Sequence, residues 1–139
     1  MLLGGSKHTV DAKGRLFFPA RFKDELWENL TVCRGTEKCL MVFGKEEWEA
    51  FARRIKEQPF SVSSQLQRYF FSNAAEVSVD AQGRLLLPQG LRDFAGITKE
   101  VWVVGTQDRA EIWDIGEWER SQQQLTNDDV KSLMDRIGF

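Results

Sequence analysis

Short apolar runs alternate with longer amphipathic stretches along this chain. Apolar and β-branched runs bounded by glycine or polar residues predict strands, which we expect at 7–10, 15–18, 30–33, 40–43, 76–79, 84–87, 101–104 and 110–113. Apolar residues at three- and four-residue spacing predict amphipathic helices, which we expect at 19–29, 46–57, 61–72, after Pro88 and at 117–125. The pattern predicts an α+β, mainly β, fold.

A last helix is predicted near the end of the sequence. Thr126 is followed three positions later by Asp129, a pairing of a side-chain acceptor and an acid that is typical of helix starts. Apolar residues then recur at helical spacing: Val130, Leu133, Met134 and Ile137. We expect this apolar stripe to pack against the body of the protein or against a neighbouring subunit.

One phrase occurs twice in the sequence. Residues 10–19 (VDAKGRLFFP) return at 79–88 (VDAQGRLLLP), with seven of ten positions identical at an offset of 69. Such self-similarity indicates duplicated architecture, and the similarity covers about 45 residues per copy. We expect each copy to form a β-hairpin, a helix and a second β-pair. One copy is too small to bury a core alone, so we expect both copies to close a small barrel together.

The predicted domain boundaries follow from this duplication. We assign 5–47 to the first repeat, 48–75 to linking helices, 76–119 to the second repeat and 120–139 to a C-terminal helical tail.

Each copy contains a tight turn with one aspartate, one glycine and one arginine: Asp11, Gly14 and Arg15, then Asp80, Gly83 and Arg84. Aspartate fixes turn backbone and glycine allows positive φ, so we expect these two residue types to act mainly in the fold. The arginines have two alternatives. They can pair with the aspartate four residues earlier, or they can face outward, where the guanidinium suits phosphate oxygens or a guanine edge.

The first turn carries more positive charge than the second. Lys13 lies inside it and is replaced by Gln82 in the second copy, while Lys7 and His8 precede it. We therefore expect the two copies to bind an anionic partner unequally.

Charge is distributed unevenly along the 139 residues, although the net charge is only −2. Residues 1–23 have a net charge of +4 and residues 111–139 a net charge of −4. Such asymmetry fits a basic face for an anionic partner, and it also fits ordinary solvated surface charge. We find neither a membrane-spanning apolar run nor a signal peptide, and therefore expect a cytoplasmic protein without a membrane partner.

Signatures of metal, cofactor or enzyme chemistry are missing from the sequence. Cys33 and Cys39 lack close-pair zinc spacing, and His8 is the only histidine. The sequence has no glycine-rich phosphate loop and no nucleophile elbow. We expect reduced cysteines, no metal, no cofactor and no enzymatic activity.

Since a few cations per chain bind nucleic acid weakly, several copies of the chain would have to act together to bind it well.

The sequence contains the phrase Val-Asp-x-x-Gly-Arg-Leu-x-x-Pro twice, and Gly4, Gly5 and His8 precede the first copy. In these motifs the chain resembles the MraZ family of bacterial transcriptional regulators. That family is part of the AbrB-like swapped-hairpin DNA-binding group. This resemblance implies a double-split β-barrel built from two tandem AbrB-like β-β-α-β-β repeats with flanking helices. It also implies a closed homo-oligomeric ring. The implied function is repression at direct repeats in the promoter of the cell-division and cell-wall gene cluster, in association with the nucleoid.

The resemblance also implies that the aspartate-x-x-x-arginine elements contact promoter DNA. With their neighbours, the candidate DNA-binding residues are Lys7, His8, Asp11, Lys13, Gly14, Arg15, Asp80, Gly83 and Arg84. Two other function classes remain open at this stage: an AbrB-like protein-interaction scaffold or antitoxin-like module, and a small barrel enzyme.

Overall fold

The computed structural model describes all 139 residues and confirms the α+β class. The expectation that the fold is mainly β is wrong, because its α-helices contain more residues than its strands. Its strands are β1 (Gly5–Thr9), β2 (Arg15–Phe17), β3 (Leu30–Arg34), β4 (Leu40–Phe43), β5 (Ala75–Val77), β6 (Arg84–Leu86), β7 (Glu100–Gly105) and β8 (Ala110–Asp114). Its α-helices are α1 (Lys45–Lys56), α2 (Phe60–Phe71), α3 (Gln89–Ala95), α4 (Ile115–Gln124) and α5 (Asn127–Arg136). No helix has the length and apolar character needed to cross a membrane.

The strands form two antiparallel sheets in which the two repeats are interleaved. A six-stranded sheet has the order β1-β7-β8-β4-β3-β5, and a two-stranded ribbon pairs β2 with β6. The predicted hairpins within each repeat are therefore wrong. The strands on either side of each turn separate into different sheets, and β1 and β2 take partners from the second repeat. This pairing places Leu16 opposite Leu85, and both leucines are buried.

No closed barrel is seen in the hydrogen-bond ladders. The six-stranded sheet ends at β1 and β5, and β2 and β6 pair only with each other. The ribbon and the large sheet are joined instead by side chains, because one core cluster contains Leu16 and Leu85 together with Val32, Val42 and Ile112 of the sheet. Burying each large aliphatic side chain stabilises the fold by about 1.5–3 kcal/mol.

Only alternate residues of the ribbon face this core. Leu16 and Phe18 are buried, whereas Phe17 between them is 62% exposed. The second repeat has the same alternation, with Leu86 exposed at 52%. The apolar run after each arginine is thus divided between the core and the surface, because successive side chains of a strand point to opposite faces.

One predicted helix is much shorter than expected. Residues 19–29 contain a 3₁₀ helix only at Ala20–Phe22, followed by turns. Phe22 and Leu26 are both buried in the main core, and Asn29 has a positive φ of 54°. Tertiary packing of these anchors outweighs the weak local helix preference.

Helices cover the outer face of the six-stranded sheet unequally. Helices α1 and α2 pack over β3 and β4, where a second core cluster contains Phe43, Ile55 and Phe70. Over β7 and β8, a smaller cluster includes Trp113 and Trp118, the latter from α4.

The structure confirms the start of the last helix. Thr126 Oγ1 accepts a hydrogen bond from Asp129 N (3.1 Å), and the Asp129 carboxylate accepts one from Thr126 N (2.9 Å). However, every residue of α5 is exposed, including its apolar stripe. Packing of this stripe against the body of the same chain, one of the two expected arrangements, is therefore wrong.

Candidate functional site

The first repeated turn is organised by the Asp11 side chain. Its Oδ1 atom accepts hydrogen bonds from the backbone N–H groups of Lys13 (3.0 Å) and Arg15 (2.9 Å). Gly14 N donates to the Asp11 carbonyl (3.0 Å), and Gly14 has a φ of +90°. Glycine adopts this conformation without steric cost, so the spacing of aspartate and glycine determines the turn.

The second turn repeats this geometry. Asp80 Oδ1 accepts from the N–H groups of Gln82 and Arg84, both at 2.9 Å. Gly83 N donates to the Asp80 carbonyl (3.0 Å), and Gly83 has a φ of +83°. The backbone of the turn is the same with lysine or glutamine at its third position.

Both arginines pair with their turn aspartate through a single nitrogen. Arg15 Nε donates to Asp11 Oδ2 (2.8 Å), and Arg84 Nε donates to Asp80 Oδ2 (3.1 Å). Neither arginine makes a hydrogen bond through its Nη atoms, and both side chains are partly exposed. The two alternatives left open by the sequence therefore coexist: the aspartate holds each guanidinium, and the Nη end stays available.

The turn carboxylates are ionised at neutral pH. The pKa of Asp11 lies below its ordinary value, chiefly because its oxygen accepts the Arg15 backbone N–H. The pKa of Asp80 is lowered in the same way by the Arg84 N–H. Each carboxylate therefore offsets the charge of its arginine while fixing the arginine's position.

The ribbon arranges the arginines with approximate two-fold symmetry. Arg15 lies opposite Leu86, and Phe17 lies opposite Arg84. Residues opposite each other in an antiparallel pair share one face, so two arginines and two exposed apolar side chains share the outer face of the ribbon. Sequence reasoning missed Phe17 and Leu86 as site residues, although the two-residue alternation after each arginine was a usable signal.

A groove of about 530 Å³ separates the ribbon from the edge strand β1. Five of the nine predicted site residues line it: Lys7, His8, Asp11, Arg15 and Arg84. The groove also contains Glu100, so its lining includes three cations and two acids. The other four predicted residues, Lys13, Gly14, Asp80 and Gly83, lie outside this lining.

His8 contributes polarity rather than charge to the groove. Its Nε2 atom is hydrogen-bonded to Ser6 Oγ (2.8 Å), and Arg21 Nη1 donates to the same hydroxyl (3.0 Å). Burial, and secondarily the charge of Arg21, lower the pKa of His8 below its ordinary value. His8 is therefore neutral at physiological pH.

An additional cation near the first turn comes from the second repeat. Arg92 of α3 donates from Nε to the Leu87 carbonyl (3.0 Å), and Leu87 N donates to the Gly14 carbonyl (2.8 Å). A Cβ atom at Gly14 would lie 2.7 Å from the Arg92 guanidinium carbon, whereas one at Gly83 would meet nothing within 4 Å. This neighbour could not be predicted from spacing, because Arg92 is far from Gly14 along the chain.

The cysteines lie away from the groove. Cys33 lies in β3 and Cys39 directly precedes β4; both are buried and unbonded. Burial raises the pKa of each thiol to about 12. No group of three or more histidine, cysteine, aspartate or glutamate side chains is placed to hold a metal ion.

Comparison with known proteins gives consistent matches over the full chain. A family model described as "MraZ protein, putative antitoxin-like" matches residues 1–67 and again residues 70–136. These two matches have the same offset of 69 as the repeated phrase. The first match contains α1 and the first part of α2, and the second contains α4 and α5.

Several curated relatives carry the name Transcriptional regulator MraZ. The relative from Caldicellulosiruptor bescii is 38% identical over 143 aligned residues that cover both chains completely. The relative from Carboxydothermus hydrogenoformans is 46% identical over 120 residues, covering 85% of this chain and 84% of its own. The relative from Roseiflexus castenholzii is 44% identical over 121 residues, covering 86% and 85%.

Proposed function

Because this chain belongs to the MraZ family, we propose that it is a sequence-specific DNA-binding transcriptional regulator. More specifically, we propose that it represses transcription from direct repeats in the promoter of the cell-division and cell-wall gene cluster. The relatives' name supports regulation; the operator and the repressing action rest on the resemblance described above. The name is that of a regulator, and we propose no enzymatic activity.

One observation carries the DNA-binding part of this proposal. Arg15 and Arg84 are each held at Nε by an aspartate, which leaves both Nη atoms free on one exposed ribbon face. The major groove of B-DNA admits a two-stranded β-ribbon, and arginine bonds the guanine edge with two donors. A guanidinium fixed before binding loses less rotamer entropy when it meets its target.

The nine candidate residues take different roles in this proposal. Arg15 and Arg84 contact base edges or phosphates. Lys7 and Lys13 contact phosphates, and neutral His8 offers a hydrogen bond. Asp11, Gly14, Asp80 and Gly83 position the turns. Lys13, together with Arg92 near the first turn, makes the first copy the stronger binding element.

Self-association belongs to the same proposal. The groove of each chain contains only three cations, and affinity for DNA grows with the number of phosphates contacted. A closed homo-oligomeric ring would place several ribbons along successive direct repeats, where the effective concentration raises the total affinity.

DNA binding of this kind implies a cytoplasmic, nucleoid-associated protein. We also retain the double-split β-barrel as the proposed fold, supported by the interleaved repeats and their shared core.

Replacing Arg15 tests the proposal. The probe is a labelled duplex from the region upstream of the protein's own gene, and the measurement is fluorescence anisotropy at several salt concentrations. Arg15→Ala should weaken binding by about 5- to 150-fold, because one bidentate contact contributes about 1–3 kcal/mol and 1.4 kcal/mol corresponds to tenfold. Arg53→Ala is the matched control, since it removes one exposed arginine from α1.

The control variant should bind like the unchanged protein. Binding should also weaken steeply with salt, as counterion release requires. Equal affinities for Arg15→Ala and Arg53→Ala, with both proteins folded and assembled alike, would contradict the assignment of the ribbon as the DNA-binding surface.

A further inference from the structure

Helix α5 is an amphipathic helix that nothing in its own chain covers. Every residue from 122 to 139 is exposed, including Val130, Leu133 and Ile137 of the apolar stripe. Isolated helices shorter than about 12–15 residues are marginal in water, and α5 has ten residues. Its capping box stabilises the start of the helix, but an exposed apolar stripe at this length indicates a packing partner.

The first repeat shows how the equivalent helix packs. Helices α1 and α2 follow β4 as α4 and α5 follow β8. Leu66 and Phe70, at the seventh and eleventh positions from the start of α2, pack in one cluster with Ile55 of α1. The residues at the same count from the start of α5 are Leu133, inside the helix, and Ile137, directly after its last residue. The apolar positions that α2 buries are therefore also apolar in α5 and at its C-terminal end.

In the second repeat, no helix packs over the surface that corresponds to the one covered by α2. Ile55 is only 4% exposed, because α2 lies over it. Leu125 matches Ile55 by its count from the helix start, but it directly follows the last residue of α4, and it is 53% exposed. Trp102 of β7 and Trp118 of α4 are only partly buried. We call these three residues the α4 surface.

The linker explains why α5 does not cover the α4 surface of its own chain. Three residues separate α1 from α2, and the first of them, Glu57, is still helical in conformation. Only Leu125 and Thr126 separate α4 from α5, and both are extended (ψ of 99° and 164°). Two consecutive extended residues carry the chain away from α4 instead of reversing it.

We propose that α5 of one copy packs on the α4 surface of a second copy, in the position that α2 occupies within the first repeat. Each copy then gives one helix and receives one. This exchange specifies the contact through which the self-association proposed above takes place, and it rests on that proposal. The partner is a second copy because the repeat itself supplies both halves of the interface.

Site-directed cross-linking tests the exchange. In the first repeat the rings of Phe51 and Phe70 lie 5.1 Å apart, and their equivalents in the second repeat are Ser121 and Ile137. A Ser121→Cys/Ile137→Cys variant is treated with a short bis-maleimide and run on a denaturing gel. We expect covalent multiples of the 16.0 kDa chain.

Two controls establish which face of α5 is involved. Ser121→Cys/Ser132→Cys places the second thiol on the opposite face of α5 and should cross-link far less. The unchanged protein should not cross-link, because its own cysteines are buried. Equal ladders from both variants would overturn the proposal, as would a purely intramolecular product or no product from the Ile137→Cys variant.

The same variant carrying Arg15→Ala separates this inference from DNA binding. It should give the same ladder even though its affinity for DNA is reduced. If the ladder is present but Arg15→Ala leaves DNA binding unchanged, the exchange stands and the DNA-binding surface is wrong. If the ladder is missing while Arg15→Ala weakens DNA binding, the exchange alone is overturned.

Discussion

Replacing each turn glycine by alanine should destabilise the protein by clearly different amounts. Both glycines have positive φ, and a non-glycine residue there costs roughly 1–2 kcal/mol. At Gly83 the added methyl group meets nothing within 4 Å. We therefore expect Gly83→Ala to lower the free energy of unfolding by about 1–2 kcal/mol.

The cost at Gly14 is larger because the methyl group collides with backbone. A Cβ atom there would lie 2.6 Å from the Leu87 carbonyl oxygen and 2.7 Å from Arg92 Nε. Relieving these contacts disturbs the hydrogen bonds from Leu87 N to Gly14 O and from Arg92 Nε to Leu87 O. Each such bond contributes about 1 kcal/mol, so we expect Gly14→Ala to cost roughly 3–4 kcal/mol in total.

Urea denaturation followed by tryptophan fluorescence measures both losses. The three proteins must be compared at one chain concentration, because association stabilises the native state. The informative quantity is the difference of about 2 kcal/mol between the two variants. Equal destabilisation would refute the reasoning that the two turns, alike in backbone, differ in what surrounds them.

Three further predictions concern protonation, the ribbon face and the thiols. The pKa values of Asp11 and Asp80 are lowered in the folded state. The stabilisation that these carboxylates contribute is therefore complete above the unfolded pKa of about 4 and is lost as the pH falls through the folded pKa values. Between pH 7 and 3, the thermal unfolding temperature of the Asp11→Asn/Asp80→Asn variant should consequently fall less than that of the unchanged protein. Phe17→Ser should change the free energy of unfolding by less than about 0.5 kcal/mol, since the side chain is exposed. The same variant should select different DNA sequences from a pool of random duplexes. An unchanged sequence preference would show that Phe17 does not contribute to base recognition by the outer face of the ribbon. Cys33 and Cys39, buried and with pKa values of about 12, should resist a thiol reagent at pH 8 until urea is added, and rapid labelling of the native protein would show that they are accessible.

Local features of this fold could be predicted from the sequence because their causes are local. The Asp11-to-Gly14 turn is specified by hydrogen bonds between residues two to four positions apart. The capping box at Thr126 and the helix over Lys45–Lys56 likewise depend on neighbours along the chain. In each case the interacting groups lie within one turn of backbone, so spacing alone reveals them.

Strand partners and the surroundings of the site could not be predicted in this way. The repeat indicated two similar halves, but whether β2 pairs with β1 or with β6 depends on which register buries both Leu16 and Leu85. The same holds for Arg92, which reaches the first turn only through the fold. Residues 19–29 have a helical pattern, yet packing of Phe22 and Leu26 decides their conformation.

The interleaving of the two repeats determines the order in which the chain can fold during synthesis. β1 pairs only with β7, and Thr9 lies opposite Glu100, so the partner of β1 is made about 90 residues later. At a synthesis rate of about 5–20 residues per second, this is a wait of roughly 5–20 s. Through that interval the N-terminal half carries a strand edge and half of a core without their counterparts. A nascent chain stopped after the first repeat therefore lacks the strands with which β1 and β2 pair in the complete fold.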